Sequence, residues 1–495
     1  MATLQRDLLG VSVALACAVS PSVTADTDEP SVSVTPAPQA TQSLRPGDQF
    51  RAKARRSLFV EFPELYPAIQ RGGAFGGSWS NAIATDIFAR SEQGIADAKR
   101  LSTITEVSPR TWLIGMPLVN VVVFETSEGL VLVDAGTAAE GPAIADLLKT
   151  VSDAPIHTII YTHAHSDHAF GTWALLDDDP QIVATADLVT FFDQLRRLRG
   201  SFAKYLGQPV SSIPEHRDDL VYPTRTFNGD LTLTIGGEEF VLRARRGETF
   251  DQLYVWVPSR SAIAAADYYQ GFLPNAGNGK RIQRHPEEWA FALREMASEQ
   301  PTLLLPAHGE AISDPKLIQT NLVVLAETLE VIAQQTIDQL NIGTRKDLIP
   351  SRLNIPDYLL SHPTLKAKYV SHEDISRMVI KQYTGWWNDI PSHWSPATFD
   401  QQARMIAELA GGTSALVKKA YQLMNADIVM ASHITDWAWY AAPDDPGVQT
   451  LVIDNYRARI LDPEANTQEM LAYLEIMAAA RARQLASQAA MATAK

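Results

Sequence analysis

The sequence predicts an α/β fold in which two β-sheets pack face to face with helices outside, followed by an all-α region. Three observations carry this. Short β-branched runs bounded by glycine or polar turns come in two sets between residues 111 and 305. Stretches with apolar residues at helical spacing separate some of them, as at residues 138–150. Beyond about residue 313 strand signals become rare and long amphipathic stretches take over, as at 317–340 and 470–489.

The first set of runs is 112–114, 120–124, 130–133 and 156–161; the second is 231–235, 239–243, 253–257, 261–266 and 303–305. At 495 residues the chain is too long for one ordinary core, so more than one folded unit is expected. The expected division is a signal peptide over 1–25, a disordered linker over 26–49, a catalytic domain over 50–313 and a helical domain over 314–495. The signal peptide reading rests on Arg6, an apolar run from Leu8 to Ser20 and the small residues Val23, Thr24 and Ala25. It implies an exported protein, periplasmic or secreted. That apolar run is shorter than the ~20 residues a stable membrane span needs. The linker reading rests on Thr, Ser, Pro, Asp and Ala without large apolar residues. Within 50–110 a wrapping or lid segment is expected, its turns marked by Gly72-Gly73 and Gly76-Gly77.

Apolar residues make up 46% and charged residues 20%, ordinary for a globular chain. Lys and Arg number 42 against 57 Asp and Glu, a net charge of −15, which argues against nucleic acid as a partner. A small anionic substrate remains compatible, since a site can be locally positive. The single cysteine, Cys17, excludes an intrachain disulfide.

The chemistry concentrates in His163, His165, Asp167 and His168, an H-x-H-x-D-H run in a chain with only 11 histidines. It follows directly on the strand at 156–161. Two histidines spaced i, i+2 at a strand end point the same way and can grip one ion. Asp167 and His168, in the first turn of a following helix, face a second. Further donors lie where later strands meet loops: Glu248 in Gly247-Glu248-Thr249, Asp267 after the run at 261–266, and His308 in Pro306-Ala307-His308-Gly309.

This H-x-H-x-D-H run, Asp134 in LVLVDAG, Asp267 and His308 resemble the metallo-β-lactamase superfamily, which implies an αββα sandwich with a dinuclear site. The superfamily usually has a His where Glu248 stands. A carboxylate there resembles the alkyl sulfatase branch, as do Pro274-Asn275 with Lys280, Arg281, Arg284 and Trp289, and Gly385-Trp386-Trp387-Asn388 opening a helical dimerisation domain. That branch usually carries a Glu at the position of Asp267, and a further sterol-carrier-like domain, which is not expected here. The resemblance implies that His163, His165 and Glu248 hold a first metal and that Asp167, His168 and His308 hold a second. Asp267 would bridge, so that Asp167 and Asp267 flank the reacting water. Two ions per chain are expected, zinc first, with iron or manganese open. Lys280, Arg281, Arg284 and Tyr205 are the candidate substrate contacts.

The implied activity is hydrolysis of alkyl sulfate monoesters by a metal-activated hydroxide, in a homodimer. One alternative is a related hydrolase of lactones, carboxylesters or phosphodiesters. Another is a non-catalytic, metal-stabilised dimerisation or binding protein.

Overall fold

The computed structural model describes residues 51–72, 90–206, 210 and 213–493. The signal peptide and linker assigned to 1–49 lie outside the described residues, as do the paired glycines beyond Gly72. Twelve strands are described. A seven-stranded sheet has the order β1-β2-β3-β4-β5-β6-β7, formed by Thr103–Ser108, Thr111–Gly115, Asn120–Thr126, Gly129–Val133, Ile156–Ile160, Gln181–Thr185 and Arg225–Phe227. A five-stranded sheet has the order β12-β11-β10-β9-β8. Its strands are Asp230–Ile235 (β8), Glu238–Ala244 (β9), Leu253–Val257 (β10), Ala262–Ala266 (β11) and Leu303–Pro306 (β12).

The β1–β4 meander is antiparallel, whereas β4, β5, β6 and β7 run parallel. In the second sheet only the β11–β12 pair is parallel. Parallel neighbours deliver successive strand ends to one edge, and it is there that the chain leaves β4 and β5 for the loops described below.

Burial of both sheet faces explains why the runs in β3, β4, β10, β11 and β12 are continuously apolar, whereas the outer strands β8 and β9 alternate. Val122, Phe124, Val131, Val133 and Ile160 point between the sheets and meet Phe240, Leu242, Val255, Ala264 and Leu305. The intervening residues Val121, Val123, Leu130, Leu132 and Ile159 face outward under helices. On the other side Tyr254, Ile263 and Leu304 pack beneath Trp289 and Leu293 of the helix Pro286–Ser298, and beneath Leu322 and Leu325 of the helix Pro315–Asn341. The predicted αββα sandwich is therefore observed. Strands β1, β6 and β7 are additional to the runs read from the sequence; β1 is a largely exposed edge and β7 is three residues long.

The C-terminal region is helical, as predicted. Its core joins Leu416, Ile434, Trp439, Leu451, Tyr456, Leu474 and Met477. Leu58, Leu65 and Ile69 belong to this same core, with the helix Arg51–Glu61 packed on the helix Thr467–Thr493. The first described residues thus wrap the helical core. The helix Glu92–Leu101, by contrast, buries Ala98 on the outer face of the larger sheet. No helix among the described residues is long and apolar enough to cross a membrane.

Candidate metal centre

The site is assembled where strand ends of both sheets meet. Strand β4 runs into Asp134, which is buried and holds a left-handed backbone, φ 68°. Its Oδ1 accepts from the Thr162 amide at 2.8 Å, while its Oδ2 accepts from the Thr162 hydroxyl and faces His168 Nδ1, each at 2.8 Å. Asp134 thereby ties the end of β4 to the loop after β5. It also holds the proton of His168 on Nδ1, turning Nε2 into the site.

His163 leaves the same loop fully buried, with Nε2 2.8 Å from His165 Nδ1. The second sheet braces this loop: Asp251 Oδ2 accepts from the Ala164 amide at 2.8 Å, and the Leu253 amide donates to the Thr162 carbonyl at 2.9 Å. Asp251 is buried, and burial pushes its carboxyl up to about 6. Nothing in the sequence singles it out beyond its place three residues after Glu248. His308 follows β12, and the Leu118 carbonyl lies 2.8 Å from its Nδ1, so Nε2 again turns inward.

The predicted donors fall into two groups whose ligating atoms lie within 4.8 Å of one another: His163, His165, Glu248 and Asp267 in one, Asp167, His168 and His308 in the other. Asp267 Oδ1 also stands 3.3 Å from His308 Nε2 and 3.5 Å from His168 Nε2, between the groups. His168 Nε2 and Glu248 Oε2 are buried with no hydrogen-bond partner among the described residues. Buried polar atoms are ordinarily satisfied. Inward-turned imidazoles and carboxylate oxygens left open in this way fit divalent cations.

The charges agree. Burial, together with the charge of His168, holds His163 well below the ordinary imidazole value; burial and His163 do the same to His165. Burial also opposes a proton on His168, but Asp267, Asp167 and Asp134 outweigh it and push the imidazole up to about 10. His308 is raised by Asp267 against the same opposition. Without metal, the carboxylates draw positive charge onto the two imidazoles of one donor group.

The basic segment is divided by the fold. Arg281 lines the pocket above the donors. Lys280 does not line that pocket, and burial, only partly opposed by Glu475, holds its ammonium below the ordinary lysine value. Arg284 is 1% exposed and lies under the donors, its guanidinium 3.0 Å from Glu248 Oε1 and donating to the Glu248 carbonyl. The backbone of Tyr205 is in the helix Arg199–Leu206, while its side chain lies outside the described residues.

Leu118, Phe191, Leu195 and Phe202 give the pocket an apolar wall. Tyr369, for which the sequence holds no signal, completes it from the helical side. The Tyr369 segment is pinned by the Leu273 amide donating to the Lys366 carbonyl (3.1 Å) and the Thr467 amide to the Lys368 carbonyl (2.8 Å).

Two family matches divide the chain. Residues 114–308 match the metallo-β-lactamase superfamily, and residues 345–485 match the alkyl sulfatase dimerisation family. The chain is 24% identical over 346 residues to a linear primary-alkylsulfatase of Pseudomonas sp., covering 64% of each protein. It is 20% identical over 386 residues to an alkyl/aryl-sulfatase of Saccharomyces cerevisiae, covering 71% of this chain and 60% of that one. It thus spans less than two thirds of the length of these two relatives. In fold it resembles the stereoselective inverting sec-alkylsulfatase of Pseudomonas sp., with a TM-score of 0.67 at 16% identity, covering 88% of this chain and 77% of that one. The sheet order, the donor groups and the two family matches together show a metallo-β-lactamase domain over residues 114–308 joined to an alkyl sulfatase dimerisation domain over residues 345–485.

Proposed function

We propose that the protein is a dinuclear-metal hydrolase of alkyl sulfate monoesters. The observation that carries this is the pocket itself, where two metal-donor groups form the floor, Arg281 supplies a cation and Leu118, Phe191, Leu195 and Phe202 form an apolar wall. A substrate with an anionic head and an alkyl tail matches that division. The names of the relatives point the same way.

His163, His165 and Glu248 would hold one ion, Asp167, His168 and His308 the other, with Asp267 between them. When bound, such ions supply Lewis acidity and an acidified water. The chain's own contribution is positioning. Asp134 and the Leu118 carbonyl fix the ring orientation of His168 and His308. Asp251 holds the loop that carries His163 and His165. Arg281 would orient the sulfate head, and the apolar wall would exclude water from the tail. Zinc is the metal this nitrogen and carboxylate set suits first. A homodimer is proposed through the helical region, where Trp386 is 76% and Leu409 is 80% exposed. Export through the first 25 residues belongs to the same proposal.

The test is release of inorganic sulfate from dodecyl sulfate by purified protein, with metal content measured on the same sample. Inert sulfate esters beside turnover of lactones, carboxylesters or phosphodiesters would favour the related hydrolase. Inertness towards all of these, with metal bound, would favour a binding protein.

A further inference from the structure

Arg284 is one of the largest fully buried side chains in the protein. A buried guanidinium keeps its charge, and removing it from water is expensive unless an anion lies against it. The anion here is Glu248, itself one of the metal donors. Arg284 reaches Glu248 Oε1 at 3.0 Å and also donates to the Glu248 carbonyl. Asn275 Nδ2 donates to the same Oε1 at 2.6 Å. The two carboxylate oxygens are therefore unlike: Oε1 accepts from the Asn275 amide and lies against the guanidinium, while Oε2 is buried with no hydrogen-bond partner among the described residues. The guanidinium nitrogen facing Oε1 makes no hydrogen bond among the described residues either, so that contact is one of charge. The loop carrying Arg284 is locked from below. The Gln283 amide group donates to the Met378 carbonyl at 3.2 Å, and a Cβ on Gly277 would meet the Ile375 amide nitrogen at 2.4 Å.

We infer that Arg284 is the counter-charge of Glu248, so that the pair meets the metal ions as a neutral donor. This rests on the metal-hydrolase reading above and deepens it. The site contains three carboxylates, Asp167, Glu248 and Asp267, but the guanidinium cancels one. A metal-loaded centre keeps one more unit of positive charge than its acidic residues alone would leave. That charge favours an anionic ligand over a neutral ester. Arg284 acts through Glu248 and so is a positioning residue, in contrast to Arg281 in the pocket wall.

The experiment is a charge cycle on metal-loaded protein without substrate. Inorganic sulfate binding is measured by calorimetry at matched metal content for the parent, Arg284→Met, Glu248→Gln and the double variant. Arg284→Met should weaken sulfate binding about tenfold and Glu248→Gln should strengthen it, as expected for one unit of charge beside the ions. The double variant should return to within about threefold of the parent, because the pair's sum is unchanged. Parent-like binding by Arg284→Met, or no recovery in the double variant, would overturn the inference. If Arg284→Met does not fold or does not load, Arg284→Lys decides, since it keeps the charge without the fork. Arg284→Lys should hold the parent's metal and bind sulfate within about threefold of it. Failure of Arg284→Lys to hold metal would make the role geometric and the inference wrong. A parent that binds metal and sulfate but hydrolyses no alkyl sulfate would sink the proposed function alone.

Discussion

The metal donors and the basic segment at 277–284 are both short runs of functional residues in loops, yet they behave differently on folding. The donors emerge from strand ends, and the sheet ladders set where each loop begins. Spacing along the chain therefore translates into spacing in the site, and all seven predicted donors converge. The basic residues sit on an irregular stretch whose orientation depends on packing against the helix His372–Tyr383. Lys280, Arg281 and Arg284 lie within five consecutive positions but in three environments: half-buried outside the pocket, in the pocket lining, and on the underside of Glu248. A cluster of like charges in sequence need not be one patch in space.

The largest expected effect tests the strand-end side. His308→Ala removes one donor from the second group, so metal content should fall from about two ions per chain to one or fewer, with turnover down about a thousandfold. Elemental analysis that still finds two ions would remove His308 from the ligand set and break the claim that all seven donors act together.

Next comes Glu140, buried beside the same edge, where it accepts from the Thr137 amide at 2.7 Å. Burial raises its carboxyl from an ordinary 4.5 to about 7. Because the folded value lies above the unfolded one, its contribution to stability is full below about pH 4.5 and is lost as pH rises through 7. Glu140→Gln should therefore gain on the parent between pH 5 and pH 8, by at most about 3 kcal/mol. Thermal melts of metal-free protein at those two pH values would show it, and a constant difference would refute it.

A smaller effect is expected from Asp134→Asn. It alters the partner of His168 Nδ1 without touching a ligand atom, and should weaken metal binding 10–100-fold as judged by chelator competition. Unchanged affinity would mean that His168 is oriented by packing alone.

The smallest effects sharpen the split of the basic segment. Arg281→Ala should raise KM for an alkyl sulfate about tenfold with kcat within about threefold, as when a cation holds ground and transition states alike. Lys280→Ala should change neither, because Lys280 does not line the pocket. Equal losses from both would restore the single basic patch that the sequence suggests.

The sequence by itself determined the two-sheet sandwich, the helical region and the donor cluster. Each rests on local periodicity or on residues placed at strand ends, and β-pairing converts such patterns into position with little freedom. Tertiary structure alone decided the surroundings of that cluster. Asp251 braces the histidine loop from the other sheet, and Tyr369 closes the pocket from 61 residues beyond His308. Residues 51–72 join the helical core rather than forming a lid over the site. Arg284 turns under Glu248 instead of into the pocket. These placements depend on contacts between segments far apart in the chain, made by irregular loops and by helix faces. No period or spacing encodes such contacts, because what selects them is the free energy of burying one segment against another.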